Sequence, residues 1–525
     1  MTTPSEPGRR TILISAFLST LLILLCGGMA AYVLSDPDIK WAYLFSRAAT
    51  KVQAEYAEPI NWEQAFTLAQ EAMFSDLDRY SGYMTGQEFS QMREELSGGY
   101  SGIGVVVTKH ARGLLVLTVR EKGPSAAAGL MNGDIIEQVD SVALSSLDME
   151  ASSRVLRGKD GSSVRLTVFR PTSEETFSPI VTRGRVELEH IPYAGYTQDS
   201  VIYVRLLDFE AGAAQSLSEA LDSLLHKPNT RPRGLILDLK QNPGGLYDEA
   251  IDVCNLLLER GRFIVGTAAR SRWEIERNYS TDHDVTGGLP MAVLVDRGSA
   301  SSAEIAAGAL RQLGRAVLVG DTSFGKGLVQ GYSQFPDGSG IRLTISRYFL
   351  EGNLFLNRLD STHSDTGSGL APDYFVPYAD RSPFLSDLES SLLMFRFAHL
   401  HQDEIAAGPP ALRPPYHWVE QFALFAEREK FEFVSQQTIE ALALLSIAKL
   451  EQSSPEVIAR AEELVAIARK DDRRQFFGNW AYIDMRLRQL AFERKCGSYR
   501  AYAEAVVNVR PDIKLAAQIL RRGTS

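Results

Sequence analysis

At 525 residues the chain is too long for a single core, and roughly three or four domains are expected. Its 45% apolar and 23% charged residues form a folding composition that excludes wholesale disorder. A net charge of −10, with no long basic run after the first ten residues, excludes a nucleic-acid footprint. Three scattered cysteines (Cys26, Cys254, Cys496) and eight histidines in no HExxH spacing exclude a disulfide framework and a zinc motif, so neither metal nor cofactor is expected.

Arg9-Arg10 precede an uncharged stretch, Thr11 to Leu34, and Asp36 and Asp38 follow it. At about 1.5 Å per residue such a helix spans the roughly 30 Å hydrocarbon layer. The charge asymmetry predicts a single-pass anchor in the inner (cytoplasmic) membrane, with the rest of the chain outside the cytoplasm. The competing reading is a cleaved signal peptide, with Gly28-Met29-Ala30 as the small-x-small site. Both readings export the chain.

Residues 35–98 read as a helical segment packing on a core. Apolar positions recur through Trp41, Leu44, Phe45 and Ala48, then Phe66, Ala69 and Met73, and Pro59 divides them into two helices. Residues 99–172 read as a compact β-rich module, with strands at Ile103–Val107, Leu114–Val119, Ile135–Val139 and Val164–Phe169 and a helix from about Leu147 to Leu156. Between 185 and 380, buried strands (Gly234–Leu239, Met291–Val295, Ala316–Val319) alternate with helices, which predicts an α/β domain on a largely parallel sheet. Residues 381–525 read as an all-α accessory region, with a linker marked by Pro409, Pro410, Pro414 and Pro415. This region carries no chemical motif and offers a surface for self-assembly or for an adaptor.

The chemistry gathers in the α/β domain. Ser301 stands at the mouth of a helix with Glu304 in its first turn, a capping pattern. The helix dipole and the Ser302 N–H then face whatever the serine attacks. A serine needs a base, and Lys326, among Phe324, Gly325, Gly327, Leu328 and Val329, is placed to be desolvated toward neutrality. Gly244 or Gly245, after a buried strand, would supply a second oxyanion N–H, and Gln330 would orient the lysine. Two other readings compete. A serine before a helix is most often only a cap. Gly320 to Lys326 also matches the first seven positions of a phosphate-binding loop, but Gly327 lacks the hydroxyl required at the eighth, and a strand follows where a helix is needed.

In order and spacing these segments resemble the carboxy-terminal processing, or tail-specific, serine proteases. The resemblance rests on Leu77–Met84, Gly102-Ile103-Gly104-Val105, Asp238–Gly245, the Ser301 segment, Phe324-Gly325-Lys326-Gly327 with Gln330, and Pro372-Asp373. It implies a crotonase/Clp-protease-like α/β core (185–380) with a Ser301–Lys326 dyad oriented by Gln330. It also implies a PDZ domain (99–172) whose Gly102, Ile103, Gly104 and Val105 capture the free carboxyl tail of a protein or peptide substrate. The chain departs from the family in reading Ser-Ala-Ser-Ser-Ala-Glu around Ser301, in Lys240 where arginine is usual, and in a longer Ser361–Gly369 approach. The alternative function is a non-catalytic PDZ scaffold that binds tails at the membrane.

Overall fold

The computed structural model describes residues 17–24, 28, 32, 37–97, 99–120, 123–171, 173–187, 189–269, 275–356, 369–376, 382–407, 417–496 and 506–522. Most of the expected 11–34 anchor lies outside the described residues, and among those described no helix is long and apolar enough to cross a membrane. The chain divides into two compact units, Met1–Arg79 and Tyr80–Ser525. The first contains the helices Pro37–Glu55 and Trp62–Ser75, parted around Pro59. The Asn61 side chain caps the second by accepting the Gln64 N–H at 3.2 Å.

In the second unit the β-rich module is a seven-stranded antiparallel sheet whose main order is Val105–His110, Gly113–Val119, Ile135–Val139, Ser163–Arg170, Glu175–Phe177. The first strand begins two residues later than expected, because Ile103 and Gly104 form the turn that enters it. Its outer edge is the sheet's edge. Leu114, Val116, Ile136, Leu166 and Val168 alternate into one core, as period-two patterning requires.

The α/β domain is built on a six-stranded sheet ordered Tyr193–Tyr196, Ile202–Arg205, Leu235–Asp238, Met291–Val295, Ala316–Gly320, Tyr374–Phe375. All neighbours are parallel except the first pair. A second sheet, not foreseen from the sequence, is antiparallel and organised by the long strand Gly340–Leu350. That strand pairs with Phe263–Ala269 and Leu328–Gln334, and also with Gly82–Met84, so residues from 82 onward join the core rather than a separate N-terminal segment.

The parallel strands are apolar on both faces and need two covers. One face packs on the helices Ala213–Leu225, Tyr247–Leu257 and Ser302–Gln312, through Leu217, Leu221, Val253, Leu257 and Leu310. The other face (Tyr203, Ile236, Ala292, Leu294, Val319) packs on Val506, Val507, Ile513, Ala516, Ala517 and Leu520. The last helix, Pro511–Arg522, is therefore part of the core although the sequence assigned it to the 381–525 accessory region. The rest of that region has its own core, in which Phe384, Phe397, Phe422, Ile483 and Leu487 are buried.

Candidate active site

The Met291–Val295 strand ends in a tightly bonded turn. Asp296 receives the Gln241 N–H at 3.0 Å, Ser299 Oγ donates to Leu239 O at 2.7 Å, and the Ala300 N–H donates to Asn242 O at 3.0 Å. The turn delivers Ser301 to the start of the Ser302–Gln312 helix, with φ 54° and ψ −119°. A positive φ costs a non-glycine residue on the order of 1–3 kcal/mol and persists only where the surroundings impose it. Here Glu304 Oε2 accepts the Ser301 N–H at 3.0 Å, so the expected capping glutamate is in place. Gly244, at φ 95°, passes so close that an added Cβ would lie 2.8 Å from Ser301 Cβ.

Ser302 is the first residue of the helix, so its N–H has no acceptor within the helix. The two glycines proposed to join it differ. The Gly244 N–H donates to Asn242 Oδ1 at 2.9 Å and is thereby occupied. Gly245 forms a parallel bridge with Phe209, in which Gly244 O and the Leu246 N–H make the bonds. The polar groups of Gly245 therefore point the other way, where Ser302 Oγ donates to Gly245 O at 3.1 Å. A cavity of about 80 Å³ opens here, lined by Ser301, Ser302, Gly245, Gln330, Tyr332 and Tyr348 among others.

Lys326 lies in the loop after the Ala316–Gly320 strand, and Glu304 fastens that loop. Its fully buried carboxylate accepts the Ser323 hydroxyl, the Gly325 N–H at 2.7 Å and the Lys326 N–H at 2.8 Å, besides the Ser301 N–H. Burial pushes the Glu304 carboxyl up, and these four donors pull it back. The Tyr348 hydroxyl also joins both segments, reaching Ser301 O at 3.2 Å and Lys326 O. Burial, reinforced by Glu304, holds its phenol well above the usual value, so it remains a donor. Lys326 Nζ lies 4.8 Å from the centroid of the Tyr80 ring. A strand, Leu328–Gln334, follows the loop, as expected when the phosphate-loop reading was set aside.

Gln330 sits on that strand just past a bulge and lines the cavity. Its amide Nε2 lies 3.5 Å from Thr344 Oγ1, rather than being seen on the lysine ammonium it was expected to orient. In the β-rich module, Gly102 ends a strand paired with Gly184–Glu187. Ile103 is buried and its O accepts the Ser125 N–H at 2.9 Å, Gly104 turns at φ 75°, and Val105 opens the edge strand. Sequence reasoning gave Glu304 only a capping role and missed Tyr348 and Asn242. The capping pattern marked the first, whereas Tyr348 comes from a strand 47 residues after Ser301 and has no local signal. Among the described residues no group of three or more His, Cys, Asp or Glu is placed to share a metal ion.

Residues 200–374 match Peptidase family S41, and residues 101–180 match the PDZ domain. The chain is 30% identical over 327 residues to the carboxy-terminal-processing protease of Bartonella bacilliformis, covering 62% of this chain and 73% of that one. It is 32% identical over 305 residues to the carboxyl-terminal-processing protease of Picosynechococcus sp., covering 57% and 70%. Among solved structures, the photosystem II D1 C-terminal processing protease is 25% identical, with a TM-score of 0.39 over 63% of this chain and 86% of that one.

Proposed function

From the premise that the chain belongs to peptidase family S41, as a carboxy-terminal-processing serine protease, we propose that it cuts proteins taken up by their carboxyl tails. The reaction runs through an acyl-enzyme on Ser301, with Lys326 as the base. The observation that carries this reading is the Glu304 carboxylate, which holds the backbone N–H groups of both residues and makes their two loops one unit.

Ser301 Oγ attacks the scissile carbonyl carbon and its proton passes to Lys326 Nζ. The resulting oxyanion is held by the Ser302 N–H at the helix N-terminus and by the Gly245 N–H, Gly244 serving instead as the contact that lets the chain pass Ser301. Collapse breaks the C–N bond, and the leaving amine takes the proton back from the Lys326 ammonium. Water, deprotonated by the same lysine, then hydrolyses the ester. Gln330, in the cavity wall with its amide toward Thr344, would turn to orient the lysine.

The PDZ domain receives the substrate tail as a strand added to Val105–His110, the edge of its sheet, with the Gly102–Val105 turn taking the terminal carboxylate. Val105, Val107 and Val155 flank the module's core, which favours an apolar tail. Residues 11–34 anchor the protein in the inner membrane with the catalytic part outside the cytoplasm, a reading supported by Arg9-Arg10 before the apolar stretch and Asp36 after it.

The test is to incubate the protein with a folded substrate bearing an apolar carboxyl tail, alongside Ser301→Ala and Lys326→Ala. Cleavage by the unaltered protein and a fall of at least about a thousandfold in both variants are expected. Full cleavage by either variant would remove the dyad. Tail binding without cleavage by any of the three forms would favour the scaffold alternative.

A further inference from the structure

Tyr80 has no part in the reaction as written above, yet the fold holds it firmly beside the base. It precedes the strand Gly82–Met84, which pairs antiparallel with Gly340–Arg342. Its carbonyl accepts Arg342 Nε at 2.5 Å, and Ser81 Oγ beside it accepts the Thr344 N–H at 3.0 Å. Thr344 Oγ1 is the atom that Gln330 Nε2 approaches, so the Tyr80 backbone is fixed to the strand that frames the cavity. From there the Tyr80 ring stands with its centroid 4.8 Å from Lys326 Nζ, inside the roughly 6 Å at which an aromatic face attracts a cation.

We propose that Tyr80 is a positioning residue for the base, its ring holding the Lys326 side chain and stabilising the ammonium that forms as Nζ takes the Ser301 proton. The proposal rests on the reading of Lys326 as the base. That role makes opposed demands, because the amine must be neutral before attack and cationic at the transition state. A carboxylate beside Nζ would keep it protonated near neutral pH and remove the base. An apolar wall would leave the new charge without support. The negative face of an aromatic ring lies between these extremes, since its attraction is weaker than that of a carboxylate and needs no counter-ion.

Among the described residues, the ionisable groups on the elements packed around Lys326 are Glu304 and, at the far end, Arg311 on the Ser302–Gln312 helix, Tyr83 on the Gly82–Met84 strand, Arg342, Arg347 and Tyr348 on the Gly340–Leu350 strand, and Tyr332 on the strand that follows the lysine. Glu304 favours the ammonium, but its oxygens are committed to the backbone of both loops. Arg342 and Arg347 oppose a further positive charge. The ring is thus a support beside Nζ that does not fix its protonation state.

The experiment compares pH–rate profiles of the full chain with those of Tyr80→Phe, Tyr80→Leu and Lys326→Ala. Tyr80→Phe keeps the ring face and should leave the profile in place. Tyr80→Leu keeps an apolar wall but loses the face, so kcat at the plateau should fall about tenfold with KM little changed. The rising limb should move down by about half to one pH unit, because the ammonium has lost support. If the leucine variant does not fold, phenylalanines of increasing fluorination at position 80 keep the shape while weakening the ring face, and the limb should move the same way with each fluorine. A limb that stays in place or moves upward in the leucine or fluorinated variants overturns the proposal. Activity retained in Lys326→Ala would instead overturn the assignment of the base.

Discussion

The two faces of the parallel sheet are equally apolar but are covered in different ways. On one, the cover is local, since each helix follows a strand of the same sheet and the cluster from Leu217 to Leu310 closes as those units form. On the other, the cover is remote, because Val506 to Leu520 come after the whole helical region and return to strands more than 180 residues earlier. Packing in the local cover is supplemented by hydrogen bonds from its helices, such as Tyr196 Oη to Leu224 O at 2.6 Å and Arg311 Nη2 to Asp373 Oδ1 at 2.7 Å. The remote one adds a buried ionic tie, in which Lys240 Nζ donates to Asp512 Oδ2 at 2.9 Å, Arg510 bonds Asp512, and Arg510 Nη1 reaches Asp238 Oδ2 at 2.8 Å. Tyr203 Oη donates to that same Asp238 oxygen at 2.6 Å. Apolar contact is non-directional, so a segment arriving from a distance depends on directional bonds to fix its place more than a helix already tethered by a short loop does. Asp238 and Lys240 lie on the strand and turn that lead to Gly244 and Gly245, so the remote cover is bonded to the same backbone that lines the cavity.

The strongest way to break this comparison is to remove residues 506–525. Four large apolar side chains, each worth about 1.5–3 kcal/mol on burial, would be lost together, a sum on the order of a domain's whole stability. The expected outcome is loss of the cooperative unfolding transition, measured by circular dichroism; a truncated chain that melts normally would mean the second face needs no cover.

Next in size is Asp512→Ala, which leaves Arg510 and Lys240 without their shared partner and should cost about 3 kcal/mol in denaturant unfolding. The same tie predicts a pH dependence. Burial alone would push the Asp512 carboxyl up, but Arg510 and Lys240 more than offset this and hold it far below the usual range. Its folded value lies below its unfolded value, so its stabilisation is present above about pH 4 and is lost as pH falls below that. The unaltered chain should therefore lose stability in acid faster than the Asp512→Ala variant; parallel losses would show that the tie is not what titrates.

The smallest effect sharpens the comparison. Leu221→Ala, fully buried in the local cover, should cost about 3 kcal/mol, and Leu520→Ala, at 3% exposure on the last helix, nearer 2 kcal/mol. Equal costs would mean the remote cover packs as tightly as the local one.

What the sequence made legible follows from the range of its signals. Strand and helix periodicity identified Leu235–Asp238, Met291–Val295 and Ala316–Gly320, and the capping pattern put Ser301 at a helix start, because those signals lie within a few residues. The apolar runs announced that both faces of the sheet are buried, but no local pattern says which distant segment does the burying. The helix at 511–522 therefore passed as one more accessory helix. Glu304 was read for its bond to Ser301, three residues away, and not for its bonds to Ser323, Gly325 and Lys326, about twenty away. Gly244 and Gly245 looked interchangeable, and the Asn242 side chain turning back on Gly244, together with the Phe209 bridge at Gly245, tells them apart.

The remote cover also has a consequence in time. Ser301, Lys326 and the sheet beneath them are synthesised well over a hundred residues before 506–520. Contacts so distant in sequence form slowly. Until they do, the strand that ends at Asp238 has one face open to water, and the backbone of the cavity lacks its rear support. A growing chain therefore carries every chemical group of the proposed dyad without a finished frame for them.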